Sequence, residues 1–148
     1  MAPVSNIHFF FQTNSVGINN RLKLKAFIKD IFKKEKKKVK NLNYVFCSDK
    51  ELLKINQDFL NHNYYTDILT FNLSSSHDII DAEIYISIDR VRENAKLLDF
   101  SFKSELHRVI FHGALHLCGY KDKKKGEIKK MREKEDLYLS EYFKSRST

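Results

Sequence analysis

The chain has 148 residues, of which 42% are hydrophobic and 13% aromatic, and this length and composition favour a folded domain over a disordered chain. Lys and Arg outnumber Asp and Glu by 27 to 19, giving a formal net charge of +8. Such an excess favours a polyanionic partner, and RNA, DNA or an acidic membrane surface would each fit.

Hydrophobic periodicity predicts nine elements in the order β-α-β-α-β-β-α-α-α. They are a strand over residues 7–12, a helix over 20–37, a strand over 43–47, a helix after 48 or 49, strands over 68–73 and 83–88, and helices from 89, from 101 to 119 and from about 126 to 142. This order predicts an α/β (α+β) fold, a single domain over residues 1–148. One mixed sheet of about four strands would pack against about five helices.

Two of the helices are expected to bury one apolar face each. The helix after residue 48 would bury Leu52, Ile55 and Phe59, and the helix capped by Asp89 would bury Val91, Ala95 and Leu98.

Cys47 and Cys118 are the only cysteines, and neither belongs to a CxxC pair. Both are therefore expected to be reduced thiols of a cytoplasmic protein. Cys118 follows His116 by two residues, so on a helix it would face away from that imidazole and pack. The N-terminal segment has no basic region, and the apolar run 7–11 is too short for a signal core or a membrane span.

The segment from His112 to Asp122 carries the strongest functional signal. His112 and His116 are four residues apart in a helix-forming run, which places both imidazoles on one face. Gly119 can adopt the left-handed conformation that ends a helix. The three residues after it span roughly 10 Å at full extension, enough to bring Asp122 to the same ion. Two His and one carboxylate leave one vertex of tetrahedral zinc open, which predicts a catalytic metal site at the end of a central helix.

Two other interpretations of these residues remain open at this point. The two histidines could be partly buried without binding a metal. A histidine pair with a third donor at this spacing is less often without a metal, however. The spacing is also that of the metzincin peptidases, but Gly113 stands where those enzymes carry the Glu that takes a proton from the zinc-bound water. Its absence argues against peptide hydrolysis.

The same residues resemble the YbeY endoribonucleases of bacterial ribosomal RNA maturation. The family signature His-Gly-x-Leu-His-Leu-x-Gly-Tyr is present without a gap from residue 112 to 120. Further similar positions are Asn56, Phe59, residues 66–71, residues 82–87, Met131 and Glu135. The resemblance thus extends from about residue 56 to residue 135.

This resemblance implies a metal-dependent, single-strand-specific endoribonuclease in ribosomal RNA processing. The implied substrate is the 3′ end of small-subunit ribosomal RNA, with a role in ribosome quality control and contact with the small ribosomal subunit. Two positions depart from the family. Asp122 stands where the family has a third His ligand, and Leu60 stands where it usually has an Arg that serves the RNA chemistry. His62, in the same loop, could supply a cation instead.

Zinc is the expected ion, one per chain, because Asp oxygens are ordinary zinc ligands. A carboxylate ligand also accommodates manganese or iron better than a third imidazole would. The main alternative is a non-catalytic RNA- or ribosome-binding protein with a structural metal, which Leu60 favours. A closed shell of four protein ligands would support that alternative.

The sequence does not identify the general acid and base. Candidate catalytic residues are His62, Asp67 and Glu83, with Glu105 as a further carboxylate to test. Candidate RNA-binding residues are Lys121, Lys123 and Lys124, which surround Asp122, and Tyr64 and Tyr65 could stack on bases. The basic tract 33–40 is expected to be a solvated helix end.

Overall fold

A four-stranded mixed sheet organises the computed structural model, which describes residues 6–13, 17–62 and 66–146. The strands are β1 (Ile7–Phe11), β2 (Lys38–Cys47), β3 (Ile68–Asn72) and β4 (Ile79–Ser87), in the spatial order β1-β2-β4-β3. β1 is parallel to β2 and β2 to β4, whereas β3 is antiparallel to β4. The predicted mixed sheet is therefore confirmed.

Five helices accompany the sheet in the described part of the chain. They are α1 (Arg21–Lys34), α2 (Asp49–Leu60), α3 (Ile88–Leu98), α4 (Phe102–Leu117) and α5 (Lys125–Arg146). α4 contacts α1, α3, α5, β3 and β4, so it is the central helix of the fold. Within the ranges that the structure covers, no helix is both long and apolar enough to cross a bilayer.

A hydrogen bond from Tyr44 and the lack of a side chain at Gly113 keep α4 close to the sheet. The hydroxyl of Tyr44, fully buried in β2, donates to the carbonyl oxygen of Ile110 over 2.9 Å. A Cβ atom at Gly113 would lie 2.9 Å from Cδ1 of Ile68 and 3.0 Å from Cδ1 of Ile84. Because ordinary carbon contacts are longer, the glycine permits the close approach that fixes the height of the helix over β3 and β4.

Several predicted boundaries are wrong for identifiable reasons. α1 ends at Lys34 because Lys36 has a φ of +62°, a left-handed conformation that its residue type does not announce. β2 and β4 begin at Lys38 and Ile79, several residues before the predicted starts. The cap of α3 is Ser87, whose side chain accepts from the Arg90 N–H, because β4 runs directly into the helix.

Two residues expected to face inward are instead exposed. Phe59 is 72% exposed and makes an edge contact with Phe71 at the surface. Leu98, the last residue of α3, is 49% exposed. Tyr64 and Tyr65, the predicted stacking pair, lie outside the described residues.

Candidate metal centre

The end of α4 and the turn after it bring His112, His116 and Asp122 together. Oδ2 of Asp122 lies 3.3 Å from Nε2 of His112 and 3.4 Å from Nε2 of His116. Two ligands at ~2.0–2.1 Å from a tetrahedral zinc ion are themselves about 3.3 Å apart, so both distances from Asp122 suit one ion. All three donor atoms lie within 4.8 Å of one another. Among the described residues, no fourth His, Cys, Asp or Glu side chain belongs to this group. One vertex of a tetrahedral ion would therefore face solvent or substrate.

The turn that returns Asp122 to the histidines depends on Gly119. Its φ is +100°, which L side chains rarely adopt. The N–H of Tyr120 donates to the Leu115 carbonyl over 3.1 Å, and the N–H of Gly119 donates to the His116 carbonyl over 3.0 Å. These two bonds form a Schellman motif, which ends the helix and reverses the chain.

His112 is oriented by a buried charged network. Its Nδ1 atom donates to Oε2 of Glu135 over 2.6 Å, and Nη1 of Arg108 donates to Oε1 of the same carboxylate over 2.9 Å. Glu135 is only 4% exposed. Because Nδ1 carries the proton, Nε2 is left as the atom that faces Asp122, as a metal-binding imidazole requires.

The charges of this network stabilise each other. Burial alone would lower the pKa of His112, but the hydrogen bond to Glu135 and the charges of Glu135, Asp122 and Asp67 raise it above its usual value. Burial would raise the pKa of Glu135, but its bonds to His112 and Arg108 lower it on balance. Glu135 is therefore an ionised acceptor that fixes the imidazole.

His116 is oriented by the backbone instead. Its Nδ1 atom donates to the carbonyl oxygen of Tyr120 over 2.9 Å, which again leaves Nε2 towards Asp122. The residue that accepts this bond belongs to the turn that delivers the carboxylate. The geometry of the second histidine and that of Asp122 are thus set by the same short turn of chain.

A cavity of about 360 Å³ adjoins His112, and two of the predicted carboxylates line it. Asp67 accepts a hydrogen bond from Nδ2 of Asn94 over 3.3 Å. Burial raises the pKa of Asp67, against the opposing charge of His112. Burial also raises the pKa of Glu105, against the charge of Arg108. Asp67 is thus both a hydrogen-bond acceptor for Asn94 and a lining residue of the cavity beside His112.

The other two candidate catalytic residues, His62 and Glu83, are not among the described residues that line this cavity. Glu83 is next to Ile84 in β4, and Ile84 faces Gly113 of the metal helix. Because neighbouring side chains of a strand point to opposite faces, Glu83 faces away from α4, where it accepts from the Tyr85 hydroxyl. His62 is exposed after α2.

The remaining predicted residues are placed as follows. Lys121, Lys123 and Lys124 are exposed around Asp122. Cys118 is partly buried against the core, and burial raises the pKa of its thiol to about 12, so it is packed as expected. Leu60, in the position of the family's Arg, is partly exposed at the end of α2.

Arg108 is a functional residue that the sequence analysis missed. It lies four residues before His112, as His112 lies four residues before His116, so all three are on one face of α4. That spacing is the signal that could have identified it. Its partner Glu135 was noted only as a position of resemblance, without a role.

Comparisons with known proteins give the relatives of this chain. The family model described as Endoribonuclease YbeY matches residues 9–143. Endoribonuclease YbeY of Cytophaga hutchinsonii is 49% identical over 134 residues, covering 90% of this chain and 94% of the relative. The enzyme of the same name from Porphyromonas gingivalis is 42% identical over 136 residues, covering 92% and 89%. The solution structure of TM1509 from Thermotoga maritima has a TM-score of 0.70 at 32% identity and covers 95% of this chain and 91% of that one. The chain belongs to the YbeY endoribonuclease family.

Proposed function

We propose that this protein cleaves single-stranded RNA at the centre formed by His112, His116 and Asp122. The observation that carries the proposal is the set of donor distances, 3.3 and 3.4 Å from Asp122 Oδ2 to the two Nε2 atoms, which suit one tetrahedral ion. The relatives are endoribonucleases by name, and Gly113 supplies no peptidase base. The one vertex left open favours a catalytic centre over a structural metal.

Zinc is the ion that best suits these three donors. Two imidazoles and one carboxylate are ordinary zinc ligands, and manganese or iron would also accept the carboxylate. When bound, such an ion supplies an activated water and positive charge opposite the phosphoryl oxygens. The ligands are held in place by two parts of the chain, α5 and the turn after α4. Glu135 fixes His112, the Tyr120 carbonyl fixes His116, and the turn at Gly119 fixes Asp122.

The residues around the ligands would exchange protons with the substrate and bind its phosphates. Asp67 lines the cavity beside His112, and its raised pKa suits a group that exchanges a proton with substrate. Lys121, Lys123 and Lys124 lie exposed around Asp122 and would bind flanking phosphates. That contribution is electrostatic, so the affinity for RNA falls as salt rises.

The substrate we propose is the 3′ end of small-subunit ribosomal RNA. The net charge of +8 suits a large RNA or the small ribosomal subunit as partner, and the family resemblance supplies the particular RNA. Action on assembling or defective ribosomes would place the protein in the cytoplasm.

The test compares the wild type with His116→Ala on a single-stranded fragment spanning the 3′ end of small-subunit ribosomal RNA. The same fragment annealed to its complement tests strand specificity, and a chelator followed by added zinc tests the ion. His77→Ala, which changes an exposed turn histidine that is not one of the three donors, is the matched control.

We expect the wild type and His77→Ala to cleave the single strand, and His116→Ala and the chelated protein to lose cleavage. Added zinc should restore the chelated wild type alone. Equal cleavage by the wild type and His116→Ala would remove the metal from the mechanism. Equal cleavage of single strand and duplex would refute the strand specificity.

A further inference from the structure

We propose that Glu35, at the end of α1, is a positioning residue for the metal centre and acts through Tyr120. This inference rests on the metal centre proposed above. Glu35 is the one carboxylate in the basic tract 33–40, and it lies 85 positions before Tyr120 in the chain.

Both oxygens of the Glu35 carboxylate are engaged. The Tyr120 hydroxyl donates to Oε1 over 3.0 Å, and the Tyr138 hydroxyl donates to Oε2 over 3.3 Å. Nζ of Lys134 lies 3.7 Å from the same Oε2 atom, and the Glu35 side chain is 17% exposed. The carboxylate is thus largely shielded, and its Oε1 atom is the acceptor for Tyr120 whereas its Oε2 atom meets side chains of α5.

The backbone of Glu35 is equally fixed. Glu35 is the C-cap of α1, and the N–H of Lys37 donates to the Phe32 carbonyl over 2.8 Å. The N–H of Lys36 donates to the Lys33 carbonyl over 3.0 Å, completing a Schellman motif like the one that ends α4. The anchor therefore belongs to a rigid helix end, not to a loose loop.

Tyr120 joins this anchor to two metal ligands. Its hydroxyl is held by Glu35, and its carbonyl oxygen accepts from Nδ1 of His116 over 2.9 Å. Asp122 follows two residues later. Holding the Tyr120 side chain therefore restricts the peptide that orients His116 and the short path that delivers Asp122. Partners that orient metal ligands in this way change metal affinity by roughly 10–100-fold when removed.

Tyr138 offers a matched control. Its hydroxyl contacts the same carboxylate as that of Tyr120, but Tyr138 belongs to α5 and lies outside the metal-binding turn. Tyr138→Phe removes one hydroxyl from Glu35 without touching that turn. Tyr120→Phe removes the other hydroxyl and keeps the ring, over which Nζ of Lys130 lies at 5.7 Å.

The experiment measures the zinc dissociation constant by chelator competition in the full-length protein. The variants are Tyr120→Phe, Glu35→Leu, the double variant, Glu35→Gln and Tyr138→Phe. The absorption spectrum of the cobalt-loaded protein reports ligand geometry, and the Tm of the metal-free protein reports folding separately.

We expect Tyr120→Phe and Glu35→Leu each to weaken zinc binding about tenfold and to change the cobalt spectrum. The double variant should bind no more weakly than Glu35→Leu, because both changes break one connection. Glu35→Gln should recover part of the affinity, since its amide oxygen still accepts from Tyr120. Tyr138→Phe should bind zinc within about twofold of the wild type.

Wild-type zinc affinity in both Tyr120→Phe and Glu35→Leu would overturn the role of Glu35, whatever happens to Tm. Additive losses in the double variant would also overturn it, because the two residues would then act separately. A wild type that binds no zinc would instead overturn the metal centre itself, and this inference with it.

Discussion

The two histidines of the metal centre are supported in opposite ways. His112 depends on a buried carboxylate and a guanidinium, Glu135 and Arg108. His116 depends on a backbone carbonyl within the turn that also carries Asp122. The first support is electrostatic and belongs to the core, whereas the second is conformational and belongs to a surface turn. Damage to the first should therefore reduce folding stability most, and damage to the second should mainly reduce metal binding.

The largest expected effect comes from breaking the support of His112. Glu135→Ala leaves Arg108 buried without its closest carboxylate, which should lower the free energy of unfolding by about 3 kcal/mol. Urea unfolding of the metal-free protein measures it. Glu133→Ala, an exposed neighbour on α5, should stay within about 0.5 kcal/mol of the wild type. Equal stability of the two variants would contradict the role given to this network.

The next effect comes from the support of His116 and Asp122. Gly119→Ala forces a φ of +100° on a residue with a Cβ, although that Cβ would meet nothing within 4 Å. The cost is therefore confined to the backbone, about 1–3 kcal/mol, and zinc affinity should fall as the turn relaxes. Gly126→Ala, which also meets nothing within 4 Å but has no positive φ, is the control for thermal unfolding and zinc titration. A Gly119→Ala protein with wild-type zinc affinity would show that the turn does not position Asp122.

The pH dependence of stability tests the support of His112 further. The pKa of Glu135 lies below its ordinary 4.5, so its stabilising effect is present above that pH and is lost as the pH falls through the lowered pKa. The pKa of His112 lies above its ordinary 6.5, so its effect is full below 6.5 and is lost as the pH rises through the raised pKa.

The difference in Tm between metal-free wild type and Glu135→Gln should therefore be greatest between about pH 4.5 and 6.5 and should shrink on both sides. Thermal unfolding at a series of pH values measures it. A difference that stays constant from pH 3 to pH 9 would show that the ion pair contributes nothing.

The smallest expected effect concerns the choice of ion. Asp122→His replaces an oxygen ligand by a nitrogen and should raise the preference for zinc over manganese about tenfold. Competition between the two ions for the purified protein measures the ratio. Asp122→Asn, which keeps an oxygen and removes the charge, separates ligand type from charge. An unchanged ratio in Asp122→His would show that residue 122 does not ligate the ion.

Only part of this site could be predicted from the local sequence, because the rest depends on tertiary contacts. His112, His116, Gly119 and Asp122 could be predicted because helix geometry and one glycine turn place them. Glu135 and Glu35 come from distant elements, and the spacing around the histidines says nothing about them. The position of Glu83 could not be predicted either, because the alternation of β4 points it away from α4, a direction that depends on which face of the sheet the helix covers.

The helices and strands show the same difference between local and tertiary information. The order of strands and helices followed from periodicity, and the mixed sheet followed from that order. The end of α1 did not, because Lys36 adopts a left-handed conformation in a tract that otherwise favours a helix. The cap of α3 was placed at Asp89 and is Ser87, because a strand without an intervening loop hides the boundary.

The most direct test of the metal centre is a crystal structure of the zinc-loaded protein with anomalous diffraction data at the zinc edge. We expect one zinc ion bound by Nε2 of His112, Nε2 of His116 and an oxygen of Asp122 at about 2.0–2.2 Å, with a water at the fourth vertex. A zinc ion bound elsewhere, or a fourth protein ligand closing the shell, would contradict the catalytic centre described above.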